Sequence, residues 1–240
     1  MKILNVGDRI MNTWIYGIPD GYVMIDTGYP NQLRRVEKRM RRQGVRWEDI
    51  RYVFLTHAHD DHAGFLNELL EKCPHIRVIF NPAGLPVLRR GQNSFKGGCS
   101  TFGAFLFCKC MALWGKGKHL FPPLSERFDD RLLPITEENR AELEARLGGR
   151  ILFTPGHTND SVSLKVGEQV FAGDAVMNGY PSRCRVTIWV EDTAEFGRSW
   201  DVLLAEDAET LYPAHGKPFA KDELRWYRAF VDRVKLYPLE

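Results

Sequence analysis

Residues 57–62, His-Ala-His-Asp-Asp-His, put three imidazoles and two carboxylates into one short stretch. Neutral imidazole and carboxylate are the nitrogen and oxygen donors that zinc and similar divalent ions take. Each is costly to bury unpaired, and a metal satisfies it. The apolar, β-favouring run Tyr52-Val53-Phe54-Leu55 leads straight in and predicts a buried strand. Two imidazoles two residues apart, His57 and His59, project from one side of the tight loop that follows. Asp61 and His62 turn to the other side. The reading is a metal site at the rim of a sheet, with no role assigned to Asp60.

Further donors recur at the ends of other expected strands. They lie in Thr154-Pro155-Gly156-His157-Thr158, in Gly173-Asp174 and in Pro213-Ala214-His215-Gly216, while Asp26-Thr27-Gly28 closes an early strand. The spacing His57-x-His59-x-Asp61-His62, followed by these islands in order, resembles the signature of the metallo-β-lactamase superfamily over nearly the whole chain. That resemblance implies an α/β fold, a four-layer αββα sandwich, formed by 1–240 as one domain with an apolar helical insertion at about 82–125. It implies two divalent metal ions, zinc foremost with manganese or iron as alternatives. His57, His59 and His157 would hold one ion and Asp61, His62 and His215 the other, with Asp174 bridging them. Asp61 and Asp174 would be the catalytic carboxylates, and a metal-bound hydroxide the nucleophile. Asp26 is either a carboxylate supporting a ligand imidazole or the residue that ends a strand.

Several chemistries share these ligands. Superfamily β-lactamases usually carry cysteine where Asp174 falls and are exported, whereas glyoxalase II-like thioesterases add a C-terminal helical domain. Flavodiiron-type relatives replace one early histidine by glutamate, where this chain keeps His59. The pattern is nearest to small lactonase and glyoxalase II-like members. The expected function is a dinuclear metal-dependent hydrolase of a small ester-like substrate: a lactone, thioester or phosphodiester. The alternatives are a ligand-binding or regulatory protein with little turnover, and an iron-dependent redox member.

The elements that must carry these residues follow from the pattern. Residues 12–17 and 21–26 read as a hairpin around Ile18-Pro19-Asp20. Residues 31–43 carry Leu33, Val36 and Met40 on one helical stripe, with Gly44 as the stop. A helix over 63–72 ends at Pro74, and 76–80 is a strand. Strands are expected at 150–153, 161–166, 169–172 and 210–212, a strand or the start of a helix at 187–190, a helix beginning at Trp200, and a closing helix over 221–234. Strands alternating with helices after an opening hairpin suggest layers of sheet and helix. The apolar stretch 101–114 could be core, a lid or pocket wall through Phe102, Phe105 and Trp114, a dimer surface, or a contact with a membrane surface. Tyr180, Ser182 and Arg183 are either substrate-facing or part of an exposed turn.

Bulk properties narrow the partners. The chain has 240 residues and a formal net charge of +2, without the clustered basic excess of a nucleic-acid footprint. The basic run around Arg34–Arg42 reads as a solvated helix face. Five cysteines form no even framework, which suits a reducing compartment, and Cys108 and Cys110, in an apolar run, read as buried thiols rather than half a metal clip or a redox pair. His75 and His119 fall outside every motif and read as surface residues. Neither a secretory leader nor an apolar run of spanning length is visible. The expectation is a cytoplasmic enzyme with a small-molecule substrate, no nucleic-acid or membrane partner, no bound organic cofactor, and a homodimer as an open option.

Overall fold

The computed structural model describes residues 2–239. The chain divides into two compact units, one formed by 1–93 and 120–150, the other by 94–119 and 151–240.

The first unit is built on a six-stranded sheet in the order β1-β2-β3-β4-β5-β7. Its strands are β1 (Ile3–Asn5), β2 (Trp14–Ile18), β3 (Gly21–Ile25), β4 (Ile50–Phe54), β5 (Arg77–Phe80) and β7 (Leu132–Pro134). The first three pair antiparallel, the expected hairpin among them, and β3, β4, β5 and β7 run parallel. Parallel neighbours need crossovers, commonly helical. Helices α1 (Leu33–Arg42) and α2 (Leu66–Lys72) provide the first two, and α3 (Leu85–Arg90) lies on the third. The α1 stripe works as its spacing predicts: Leu33, Val36 and Met40 are buried, and the basic residues between them face water. One apolar cluster, including Ile15, Met24, Val53, Phe65, Leu69 and Phe80, fills the unit. Helix α5 (Arg140–Leu147) and the edge strand β7 lie in a stretch to which sequence reading assigns no element.

The second unit holds a five-stranded sheet in the order β13-β12-β10-β9-β8. Its strands are β8 (Arg150–Phe153), β9 (Val162–Val166), β10 (Gln169–Gly173), β12 (Thr210–Pro213) and β13 (Phe219–Ala220). β9 and β10 form a hairpin across Gly167, whereas β10 and β12 run parallel. Their crossover contains helix α6 (Thr193–Ala205). This helix starts well before Trp200, because the Asp192 carboxylate accepts the Ala194 and Glu195 amides at 2.8 and 2.9 Å. Such a cap is worth about 1 kcal/mol, and the Asp-Thr pair at 192–193 is its sequence signal. Phe196, Trp200 and Leu203 of α6 pack with Val170, Leu211 and Leu224, the last from the closing helix α7 (Glu223–Val231). A two-stranded ribbon of β6 (Gly98–Cys99) and β11 (Trp189–Val190) and helix α4 (Phe102–Met111) complete the unit. The middle of the 82–125 stretch therefore groups with the second unit, and its two ends with the first.

Candidate metal centre

In open parallel sheets, ligands gather beyond the carboxyl ends of the strands. In the first unit β3 and β4 are parallel neighbours with Ile25 opposite Phe54. Asp26 and residues 56–62 therefore leave adjacent strand ends on the same side. Asp26 is buried and takes a left-handed backbone with φ of 57°, a conformation that aspartate and asparagine tolerate better than most residues. Its carboxylate accepts the Thr56 amide at 2.7 Å and the Thr56 hydroxyl at 2.9 Å. The same carboxylate lies 2.8 Å from His62 Nδ1. The choice left open by sequence thus resolves: Asp26 holds His62, besides ending a strand.

This network sets the tautomers. The Thr56 hydroxyl donates to Asp26, so it can accept from His57 Nδ1 at 3.1 Å. With their Nδ1 atoms engaged, His57 and His62 both present Nε2 as a lone pair. His57 Nε2 lies 3.2 Å from His59 Nδ1, and His62 Nε2 lies 3.7 Å from Asp61 Oδ1. Two nitrogen ligands in the tetrahedral shell of one ion stand ~3.3 Å apart, so the first pair has the spacing of donors to a common ion. The second pair is beyond hydrogen-bond range yet close enough for shared coordination. The donor set fits a divalent metal.

The turn itself is braced from both ends. Thr27 donates its amide and hydroxyl to the His62 carbonyl, each at 2.7 Å. Asp60, to which sequence reading gives no role, accepts the Asn93 side-chain amide at 2.7 Å, and Asn93 Oδ1 accepts the Asp60 backbone amide at 2.8 Å. Asn93, buried and outside every motif, is a positioning residue that sequence reasoning misses.

In the second unit the donors come from three strand tips. Asp174 follows β10 and His215 follows β12, parallel neighbours whose register ends at Gly173 opposite Pro213. His157 follows β8, and its Nδ1 faces the Trp189 carbonyl at 2.7 Å, which again leaves Nε2 as the donor. Asp174 Oδ2 lies 3.7 Å from His157 Nε2 and 3.6 Å from His215 Nε2. The carboxylate thus stands between two imidazoles without a hydrogen bond to either nitrogen, the disposition of ligands around cations. Two glycines shape these tips. Gly156 and Gly216 have φ of 127° and 92°, and a Cβ on either would strike backbone, that of Phe196 and of Asn178 respectively.

The structure therefore brings His57, His59, Asp61 and His62 onto one turn of the first unit, and His157, Asp174 and His215 to one end of the second unit's sheet. His75 and His119 are exposed, as expected. Of the substrate-facing candidates, Tyr180 is 90 % exposed, Arg183 is exposed, and the Ser182 hydroxyl donates to the Val186 carbonyl at 2.6 Å. Cys108 is half-buried and Cys110 exposed, which corrects the reading of this pair as buried thiols. The cause is the placement of α4, whose apolar residues largely face solvent.

The Asp26→Asn substitution tests the bracing. Asparagine suits the left-handed backbone but removes the charge that orients His62. Metal affinity should fall roughly 10- to 100-fold, as is usual when a group orienting a ligand is lost. A metal titration of the folded variant checks this; unchanged affinity would show that His62 needs no such support.

Comparison with known proteins places the chain. The profile described as Metallo-beta-lactamase superfamily matches residues 6–215. The lactamase-like protein GME11357 of Pestalotiopsis microspora is 25 % identical over 215 residues, covering 86 % of this chain and 49 % of that protein. A beta-lactamase-like protein 2 homolog of Caenorhabditis elegans is 21 % identical, covering 85 % of this chain and 55 % of its own length. The chain thus spans about half the length of these curated relatives. Among solved structures, the metallo-beta-lactamase family protein TTHA1429 of Thermus thermophilus superposes with a TM-score of 0.67 at 19 % identity, covering 97 % of this chain and 79 % of that one. TTHA1623, solved in a di-iron-bound form, does so with a TM-score of 0.63 at 24 % identity, covering 94 % and 97 %. Among the described residues, no helix is long and apolar enough to cross a membrane. With the family profile spanning every donor from His57 to His215 and the α/β fold shared with these structures, the chain belongs to the metallo-β-lactamase superfamily.

Proposed function

We propose that this protein is a dinuclear metal-dependent hydrolase acting on a small ester-like substrate: a lactone, thioester or phosphodiester. His57, His59 and His157 would hold one ion and Asp61, His62 and His215 the other, with Asp174 serving both. The observation that carries the reading lies within the units. Ring nitrogens and carboxylates stand 3.2 to 3.7 Å apart, and at His57, His62 and His157 a hydrogen-bond partner engages the opposite ring nitrogen.

The chemistry supplied on metal binding is Lewis-acid polarisation of an ester-like oxygen, together with acidification of water toward neutral pH. The chain's own residues orient and balance charge. Asp26 and Thr56 hold His62 and His57 in the ligating tautomer, and the Trp189 carbonyl does so for His157. Asp174 would offset the repulsion between two dications, and Asp61 would contribute the second anionic donor. Zinc is the proposed metal; iron is the alternative kept by the di-iron form of the structural relative TTHA1623.

Elemental analysis of protein purified without added metal should find about two ions per chain, and that preparation should hydrolyse a member of a lactone, thioester and phosphodiester panel. A protein that binds two metals and turns over none of the three classes is instead a binding member of the family. Iron in place of zinc, with redox turnover, would favour the oxidative alternative.

A further inference from the structure

Residues 94–119 of the second unit differ in chemistry from the rest of the chain. They carry Lys96, Lys109, Lys116 and Lys118 and no aspartate or glutamate, in a protein whose whole formal excess is +2. The Thr101 hydroxyl caps α4 by accepting the Ala104 amide at 3.1 Å, so the helix is well started. Yet of the ten residues of α4 only Ala104 is buried. Phe102 is 57 % exposed and Leu106 48 %; just beyond the helix, Leu113 is 85 % and Trp114 77 % exposed. The segment is anchored on one flank. Phe102 and Phe105 rest against Tyr237 with ring centroids 5.9 and 6.3 Å apart, and Lys109 Nζ donates to the Leu239 carbonyl at 2.8 Å. Phe107 meets Tyr180 edge-on at 6.4 Å, and Tyr180 extends the apolar surface.

We propose that this segment docks on an anionic phospholipid bilayer. Leu113, Trp114 and, from α4, Phe102 and Leu106 enter the boundary between headgroups and acyl chains, while Lys116 and Lys118 pair with anionic headgroups. Cationic residues beside exposed Trp, Phe and Leu are the composition of a segment that lies in the membrane interface, where tryptophan is enriched. Charge decides the occupant. A two-fold dimer through this face would set two acid-free cationic segments against each other, whereas an anionic leaflet attracts each lysine. The sequence expectation of no membrane partner rests on span length, which bears on crossing a bilayer and not on lying upon it.

The test is co-sedimentation of the full chain with phosphatidylcholine vesicles, with and without phosphatidylserine. Binding is expected only with phosphatidylserine, weakening as salt is raised. Lys116→Gln and Lys118→Gln should each weaken it about fivefold, and the double change of Leu113 and Trp114 to serine more than about tenfold. All four side chains lie at the surface of the segment, so the fold should persist, as circular dichroism would check. Binding should be unchanged in Asp174→Ala, which separates this result from the fate of the metal centre. Absence of binding, or equal binding to both vesicle types, overturns the proposal. So does a concentration-dependent dimer abolished by Leu113→Ser without vesicle binding, which makes a second copy the occupant. A change in KM for a soluble substrate in these variants, again without vesicle binding, would make the segment a pocket wall.

Discussion

Asp174→Ala is expected to yield a folded protein that retains less metal and hydrolyses substrate more than ~100-fold more slowly. That loss exceeds the roughly 10- to 100-fold typical of changes to groups that only orient a ligand. The reason is its position: one carboxylate oxygen stands 3.7 Å from His157 Nε2 and 3.6 Å from His215 Nε2. Alanine leaves both imidazoles without the anion that would offset two dications. Asp174→Asn keeps an oxygen donor but no charge, and should fall between wild type and alanine in metal content. Elemental analysis beside initial rates makes the measurement. Full metal content and full rate in the alanine variant would remove Asp174 from the centre.

Trp200→Ala should cost about 3–5 kcal/mol of stability, the usual range for truncating a large buried aromatic. Trp200 is fully buried in the second unit's cluster, and its indole N–H donates to the Ala175 carbonyl at 2.8 Å. Truncation leaves both a cavity and a buried carbonyl that loses its donor. Against a typical total of roughly 5–15 kcal/mol, such a loss is a large fraction. Because Ala175 follows Asp174 directly, weakened metal binding should accompany the lower urea midpoint. Trp200→Phe, which keeps a ring but no N–H, separates packing from the hydrogen bond. A midpoint unmoved by the alanine change would show that α6 is not held through this residue.

The donors are legible in the sequence because their information is local. Three imidazoles and a carboxylate spaced within one turn, after an apolar strand, can be read without knowing what lies opposite. The same holds for His157, Asp174 and His215, each announced by a strand and a glycine or proline. The apolar stripe of α1 and the β9–β10 hairpin are readable for the same reason. The start of α6 is harder to place, because a short capping signal, Asp192-Thr193, competes poorly with the apolar run after it.

What orients the donors is decided by tertiary structure alone. Asp26 reaches His62 across 36 positions of sequence because β3 and β4 pair in parallel, and nothing in the run Asp-Thr-Gly states that pairing. Asn93 clasps Asp60, and the Trp189 carbonyl sets the His157 tautomer; neither belongs to a motif. The fate of residues 101–114 also lies beyond the sequence, since an apolar helix reads alike whether buried or bare. Hydrogen bonding between distant strands and the presence or absence of a packing partner are properties of the assembled chain, and local spacing does not encode them.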